Sequence, residues 1–162
     1  MIITADQKGK CVKDRPCHHL LGILLLVTSV AAAAHEKAEG SPLAIEGYSP
    51  VSYFERGQAE RGRAEFSAVY NGFRYHFTDA DQVATFKANP ARFEPLFTEH
   101  CPYSLTLGRA VAIDPESFKI VGGHLLLFHR SDEMDGRQKW NQADDEHALL
   151  EQARSQYTLF RF

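Results

Sequence analysis

Apolar and polar residues alternate along "AEFSAVYNGFRYHFT", residues 64–78. Phe66, Ala68 and Tyr70 share one face of an extended chain, and Phe73, Tyr75 and Phe77 do so beyond Asn71-Gly72. Period-two alternation on both sides of Asn-Gly predicts a β-hairpin with a type I′ turn, because both turn residues must accept positive φ. Its apolar face carries Phe66, Phe73, Tyr75 and Phe77. Arg74 and His76 point the other way, which puts His76 at solvent or at the rim of a pocket. A second hairpin is expected where "SFKIV" and "HLLLF" flank Gly122-Gly123.

Between and around the hairpins the pattern turns helical. "TDADQVATFKANP", residues 78–90, offers Thr78 or Asp79 as a cap, an acidic first turn, Val83 and Phe86 on one face, and Pro90 as a stop. "ARFEPLF" continues as an irregular aromatic segment. In "CPYSLTLG" the early Pro and late Gly predict a short helix from Pro102 to Leu107, with Cys101 at its N-cap. Ala143, Leu150, Ala153 and Tyr157 recur at roughly helical spacing and predict a C-terminal helix. "VSYF", after the Ser49-Pro50 turn, fits a short strand or a helical turn. Asp114 and Glu116 read as turn and helix-start residues, and Asp132, Glu133 and Asp135 as a solvated acidic face. The expected fold is therefore α+β: a small single domain with two β-hairpins packed against short helices and a C-terminal helix. It spans residues 43–141, with the helix and tail at 142–162. The two hairpins are the only internal repeat expected.

The N-terminal third changes the picture of where this domain works. Residues 20–34, "LLGILLLVTSVAAAA", form an apolar run behind Lys8, Lys10, Lys13 and Arg15, and end in small residues. That order is expected of a signal peptide at 1–34, too short for a span of about 20 residues. Cleavage near Ala34 implies a periplasmic or secreted protein of 128 of the 162 residues. "HEKAEGSP", residues 35–42, then reads as a flexible lead-in. The lost segment takes four Lys/Arg and two Asp, so the whole-chain net charge of −3 becomes −5. A mildly acidic domain does not suit a nucleic-acid partner. Cys11 and Cys17 leave too, so Cys101 alone cannot form an internal disulfide and the domain stands on its core.

Three readings fit Cys101. It can be a soft metal ligand with His100, since thiolate plus imidazole suits copper(I) or zinc, and His76 and His124 could complete the set. It can be a redox-active thiol at a helix N-terminus. It can be a small buried hydrophobe. His129 and His147 read as surface histidines. Cleavage after Ala32 would place His35 third in the chain, where it could help bind copper(II) or nickel(II) in a square plane. No nucleophile elbow, phosphate loop, dinucleotide fingerprint or His-Glu-x-x-His occurs, so an enzyme is not expected.

The order "AIEGYSPVSYF", "EFSAVYNGFRYHFTDADQVATFKANPARFEP", "CPYSL" and "DPESFKIVGGHLLLF" followed by Trp140 resembles the YHS-domain family. It is most similar to the exported, stand-alone bacterial members, over about residues 43–141. Related modules are appended to copper-transporting ATPases and other metal-handling proteins, and carry cysteines early in the domain and just after the hairpin. Here "GYSPVSYF" and "FTDAD" stand at those places, so the thiolate cluster is absent. Cys101 corresponds to a Cys that stand-alone members show after Gly-Tyr, here Glu99-His100. The resemblance implies a non-enzymatic protein that binds or senses a transition metal. The alternative is a metal-free module that docks a periplasmic or membrane protein, with a structural cysteine.

Overall fold

The computed structural model describes residues 40–160. The expected signal peptide, the lead-in through residue 39 with His35, and Arg161-Phe162 lie outside the described residues. A 3-10 turn at Ala44–Gly47 is followed by α1 (Pro50–Glu55), β1 (Arg63–Tyr70), β2 (Phe73–Phe77), α2 (Ala80–Ala88) and α3 (Pro90–Phe93). Then come α4 (Pro102–Thr106), β3 (Asp114–Val121), β4 (His124–Phe128), α5 (Gly136–Asn141) and α6 (Glu146–Phe160). Among the described residues, six helices and two antiparallel two-stranded sheets make the small α+β domain expected from the sequence.

Both hairpins form at their turn signals. Asn71 and Gly72 adopt φ of 49° and 83°, and Gly122 and Gly123 adopt 56° and 82°. These left-handed pairs give the turn a twist that matches the strands. "VSYF" resolves as helix, since Pro50 presets the first-turn φ and lacks an N–H that would be orphaned there. Pro90 stops α2 but also opens α3 at its first position. The C-terminal pattern divides in two. Asp135 caps α5 by accepting from Gln138 N at 2.8 Å, and a separate α6 buries Leu150 and Ala153. Asp114 and Glu116 begin β3 instead of a helix, and Arg130 pairs with both.

The chain repeats more than its hairpins. Tyr48 bridges Arg61 before β1, and His100 bridges Ala112 before β3. Ser49 N donates to Glu60 O at 2.8 Å, and Cys101 N donates to Val111 O at 2.9 Å. Each is the N-cap of a short helix with Pro at its first position. Each hairpin pairs eight residues with five, and each slips register near its start, between Arg63 and Ser67 or between Asp114 and Phe118. An Asp-capped helix follows each. The sequence hides this because the interiors differ.

Two cores result. The first gathers Ile45, Val51, Tyr53, Tyr75, Phe77, Phe86 and Phe93, and the second Phe97, Cys101, Leu105, Trp140, Leu150 and Ala153. β4 lies between them. Its alternate residues Leu125 and Leu127 enter the first core, and Leu126 and Phe128 enter the second. This explains a strand that reads as one apolar run: both of its faces are buried. Full burial of each such side chain contributes about 2 kcal/mol.

Candidate functional site

Cys101 is set by the start of α4. Its backbone is extended, its carbonyl accepts from Leu105 N at 3.0 Å, and its side chain makes no cap hydrogen bond. The thiol is fully buried in the second core. It lies against Gly136, where a Cβ would stand 2.8 Å from Sγ. Gly136 N in turn donates to His129 O at 2.9 Å, fixing that approach. Local sequence explains the placement, since successive residues of an extended chain point to opposite sides. Cys101 turns inward, and His100 turns to the edge of a cleft.

That cleft, of about 340 Å³, is lined by Leu43, Ile45, Glu46, Glu99, His100 and Ala112, among others. The His100 ring stands 6.0 Å from Tyr157, and its buried Nδ1 has no protein hydrogen-bond partner. Ser104, one turn into α4, is also buried, and its hydroxyl has no protein partner. The cleft wall is backbone held in an uncommon form. Ile45 and Glu46 have φ of 50° and 51°, and Gly47 follows at 85°. A β-branched residue in the left-handed region is strained, by about 1–3 kcal/mol, so the packing of Ile45 must hold it there. Its burial at 2% exposure is that restraint.

The histidines expected to complete a metal set lie elsewhere. His76 is half-buried on β2, with Gly47 on one side and Gly62 closely against its backbone. Desolvation by that cover, and then the Arg74 charge, hold its pKa below the usual imidazole value. The chain at residues 42–47 runs along that edge of β2, where Arg74 N donates to Pro42 O at 2.8 Å. His124 is exposed at the start of β4, at a different cleft. His129 Nδ1 lies 3.0 Å from Ala112 O. Among the described residues no three His, Cys, Asp or Glu side chains converge as metal ligands, so Cys101, His100, His76 and His124 are not brought together. His76 and His124 belong to separate hairpins, and Cys101 and His100 face opposite ways.

Sequence reasoning missed two features. Gln82 is buried on α2, where it accepts from Ser49 Oγ at 2.6 Å and donates to Ser52 Oγ at 3.0 Å. Glu94 accepts from the Asn71 side-chain amide and from the Tyr75 hydroxyl. Neither carries a local signal, since each role depends on partners far along the chain. No helix among the described residues is long and apolar enough to cross a membrane. Comparison with protein-family models, with curated proteins and with solved structures finds no match.

Proposed function

We propose that this chain is an exported, YHS-type module that works by binding and not by catalysis, and that Cys101 serves its core. The observation that carries this reading is the thiol itself, fully buried against Gly136 among Phe97, Leu105 and Trp140. A thiol so placed packs as a small hydrophobe. The binding partner in this reading is a periplasmic or membrane protein, met through the surface of the domain.

A second reading keeps a transition-metal ion, copper or zinc, on the segment from His100 to Ser104. It is favoured by the buried His100 Nδ1 and Ser104 Oγ, two donor atoms without protein partners on either side of Cys101. A buried polar atom left unpaired costs about 1–3 kcal/mol, which a bound ligand would recover. Imidazole supplies a nitrogen ligand of the kind these metals take, and a thiolate could join it only if Cys101 left the core.

Metal content and stability, measured together on the exported protein purified without chelator or affinity tag, separate the two. The first reading expects Cys101→Ser to cost about 1–2 kcal/mol in urea unfolding through a buried hydroxyl, with metal content unchanged. Stoichiometric copper or zinc in the wild type that is lost in Cys101→Ser would overturn it in favour of the second.

A further inference from the structure

A second cleft, of about 410 Å³, opens beside the Asn71-Gly72 turn. Asn71, Phe73, Glu94, Leu96, His124 and Tyr157 line it, drawn from both hairpins, the connection after α3, and α6. Its polar centre is built. The Asn71 side-chain amide donates to both Glu94 oxygens, at 3.2 and 3.0 Å, and the Tyr75 hydroxyl donates to Oε1 at 3.5 Å. Tyr75 stays protonated as that donor, since burial first, and the Glu94 charge second, push its pKa far up.

Both donors are neutral. They fix the direction of the carboxylate without cancelling its charge, and none of the ion pairs among the described residues includes Glu94. A carboxylate offers about four acceptor positions, so room is left for another donor. Phe73, Leu96 and Pro95 give part of the wall an apolar surface, beside the polar Thr98, His124 and Tyr157. Low-dielectric walls strengthen attraction to a cation, and an aromatic face adds to it. The complement of this site is a hydrogen-bond donor that carries positive charge at one end and apolar surface at the other.

We propose that this cleft binds a protonated amine with an apolar body, its ammonium on Glu94 and its body against Phe73 and Leu96. The inference rests on the reading that the module works by binding, and it does not use Cys101. The amine can be a free small molecule or the lysyl side chain of a partner protein, and the two share the same contacts.

The test is a titration of the ¹⁵N-labelled full chain, followed by amide chemical shifts, with phenethylamine, 2-phenylethanol and Nα-acetyl-lysine amide. Phenethylamine is expected to shift Asn71 to Phe73, Glu94 to Thr98 and His124 saturably, with a dissociation constant on the order of 1 mM for a ligand of this size. Glu94→Gln keeps the acceptor for Tyr75 but removes the charge, and is expected to weaken phenethylamine about tenfold or more. Wild-type shifts that fail to saturate, equal binding of uncharged 2-phenylethanol, or undiminished binding in Glu94→Gln would each overturn the proposal. The alcohol comparison uses wild type alone, so it decides even where the variant folds poorly. Acetyl-lysine amide binding as tightly as phenethylamine supports the lysyl source, and clearly weaker binding supports the free amine. Phenethylamine binding is expected to survive Cys101→Ala, so a failure here and a failure of the structural reading of Cys101 remain distinguishable.

Discussion

In the first half of the domain Ser49 and Ser52 meet Gln82, and all three side chains are satisfied inside the core. In the second half the matching places hold Cys101 and Ser104. The sulfur packs against Gly136, and the Ser104 hydroxyl has no protein partner. The backbone plan is shared: a bridge, a Pro-led helix, a slipped hairpin and an Asp-capped helix. The difference teaches that caps, prolines and turn residues set the plan, while the interior can be closed by hydrogen bonds or by shape. The polar closure specifies a geometry, whereas the apolar one tolerates substitution as long as volume is kept.

The glycines sharpen this most. A Cβ on Gly62 would stand 2.5 Å from His76 C and Phe77 N, both backbone atoms with no way to swing aside. Gly62→Ala is expected to cost about 3 kcal/mol or more in urea unfolding. Gly136→Ala meets a side chain, Cys101 Sγ, as well as His129 O at 3.2 Å. Its expected cost is smaller, about 1–2 kcal/mol, and part of it should vanish in a Cys101→Ala background. Strict additivity in that double variant would mean that the two residues do not press on each other.

Gln82→Leu breaks the first half chemically. It strands the Ser49 hydroxyl and the Thr78 N–H, which donates to Gln82 Oε1 at 3.2 Å, and takes from Ser52 Oγ the donor it accepts. The expected loss is about 2–3 kcal/mol. The matching change in the second half, Ser104→Ala, removes a buried hydroxyl that had no protein partner, and should raise stability by about 1 kcal/mol. Equal losses from the two changes would erase the contrast.

The halves should also separate by pH, with the smallest effect. His76, in the first half, has a pKa held below the ordinary 6.5. The unfolded chain therefore takes a proton that the folded one resists, so stability is full above about 6.5 and falls as the pH drops toward the folded pKa. Glu146, in the second half, is held below the ordinary 4.5 by the Lys119 hydrogen bond and then by that of Trp140. Its contribution is full above 4.5 and is lost only as the pH falls through the lower folded pKa. Urea midpoints followed by the single tryptophan, Trp140, should lose their slope just below pH 6.5 in His76→Gln and their acid arm below 4.5 in Glu146→Gln.

Local signals made much of the fold legible. Asn71-Gly72, Gly122-Gly123, Asp79 and Cys101-Pro102 each act within a few residues, and each is found where the sequence places it. Other features lay beyond such reading. Asp114-Pro115 looked like a turn, yet the slipped register at the head of β3 accommodates a residue without an N–H. Ile45 and Glu46 carry no mark of a left-handed backbone, because neither residue type favours it. Gln82 reads as the polar face of a helix until Ser49 and Ser52 are brought to it. Of the candidate site, the N-cap place of Cys101 was legible, while its burial was one of three readings the residues left open. The clefts were not, since their walls come from segments 70 and 86 residues apart at their extremes, Leu43 to Ile113 and Asn71 to Tyr157.

A chain laid out as two similar halves could open one half at a time, as repeat arrays do. β4 prevents it. Because Leu125 and Leu127 serve one core and Leu126 and Phe128 the other, neither core can be exposed to water without stripping a face of the same strand. The two halves are therefore expected to lose structure in a single cooperative step, and hydrogen exchange should find the amide protons of β4 among the last released, when the whole domain comes apart.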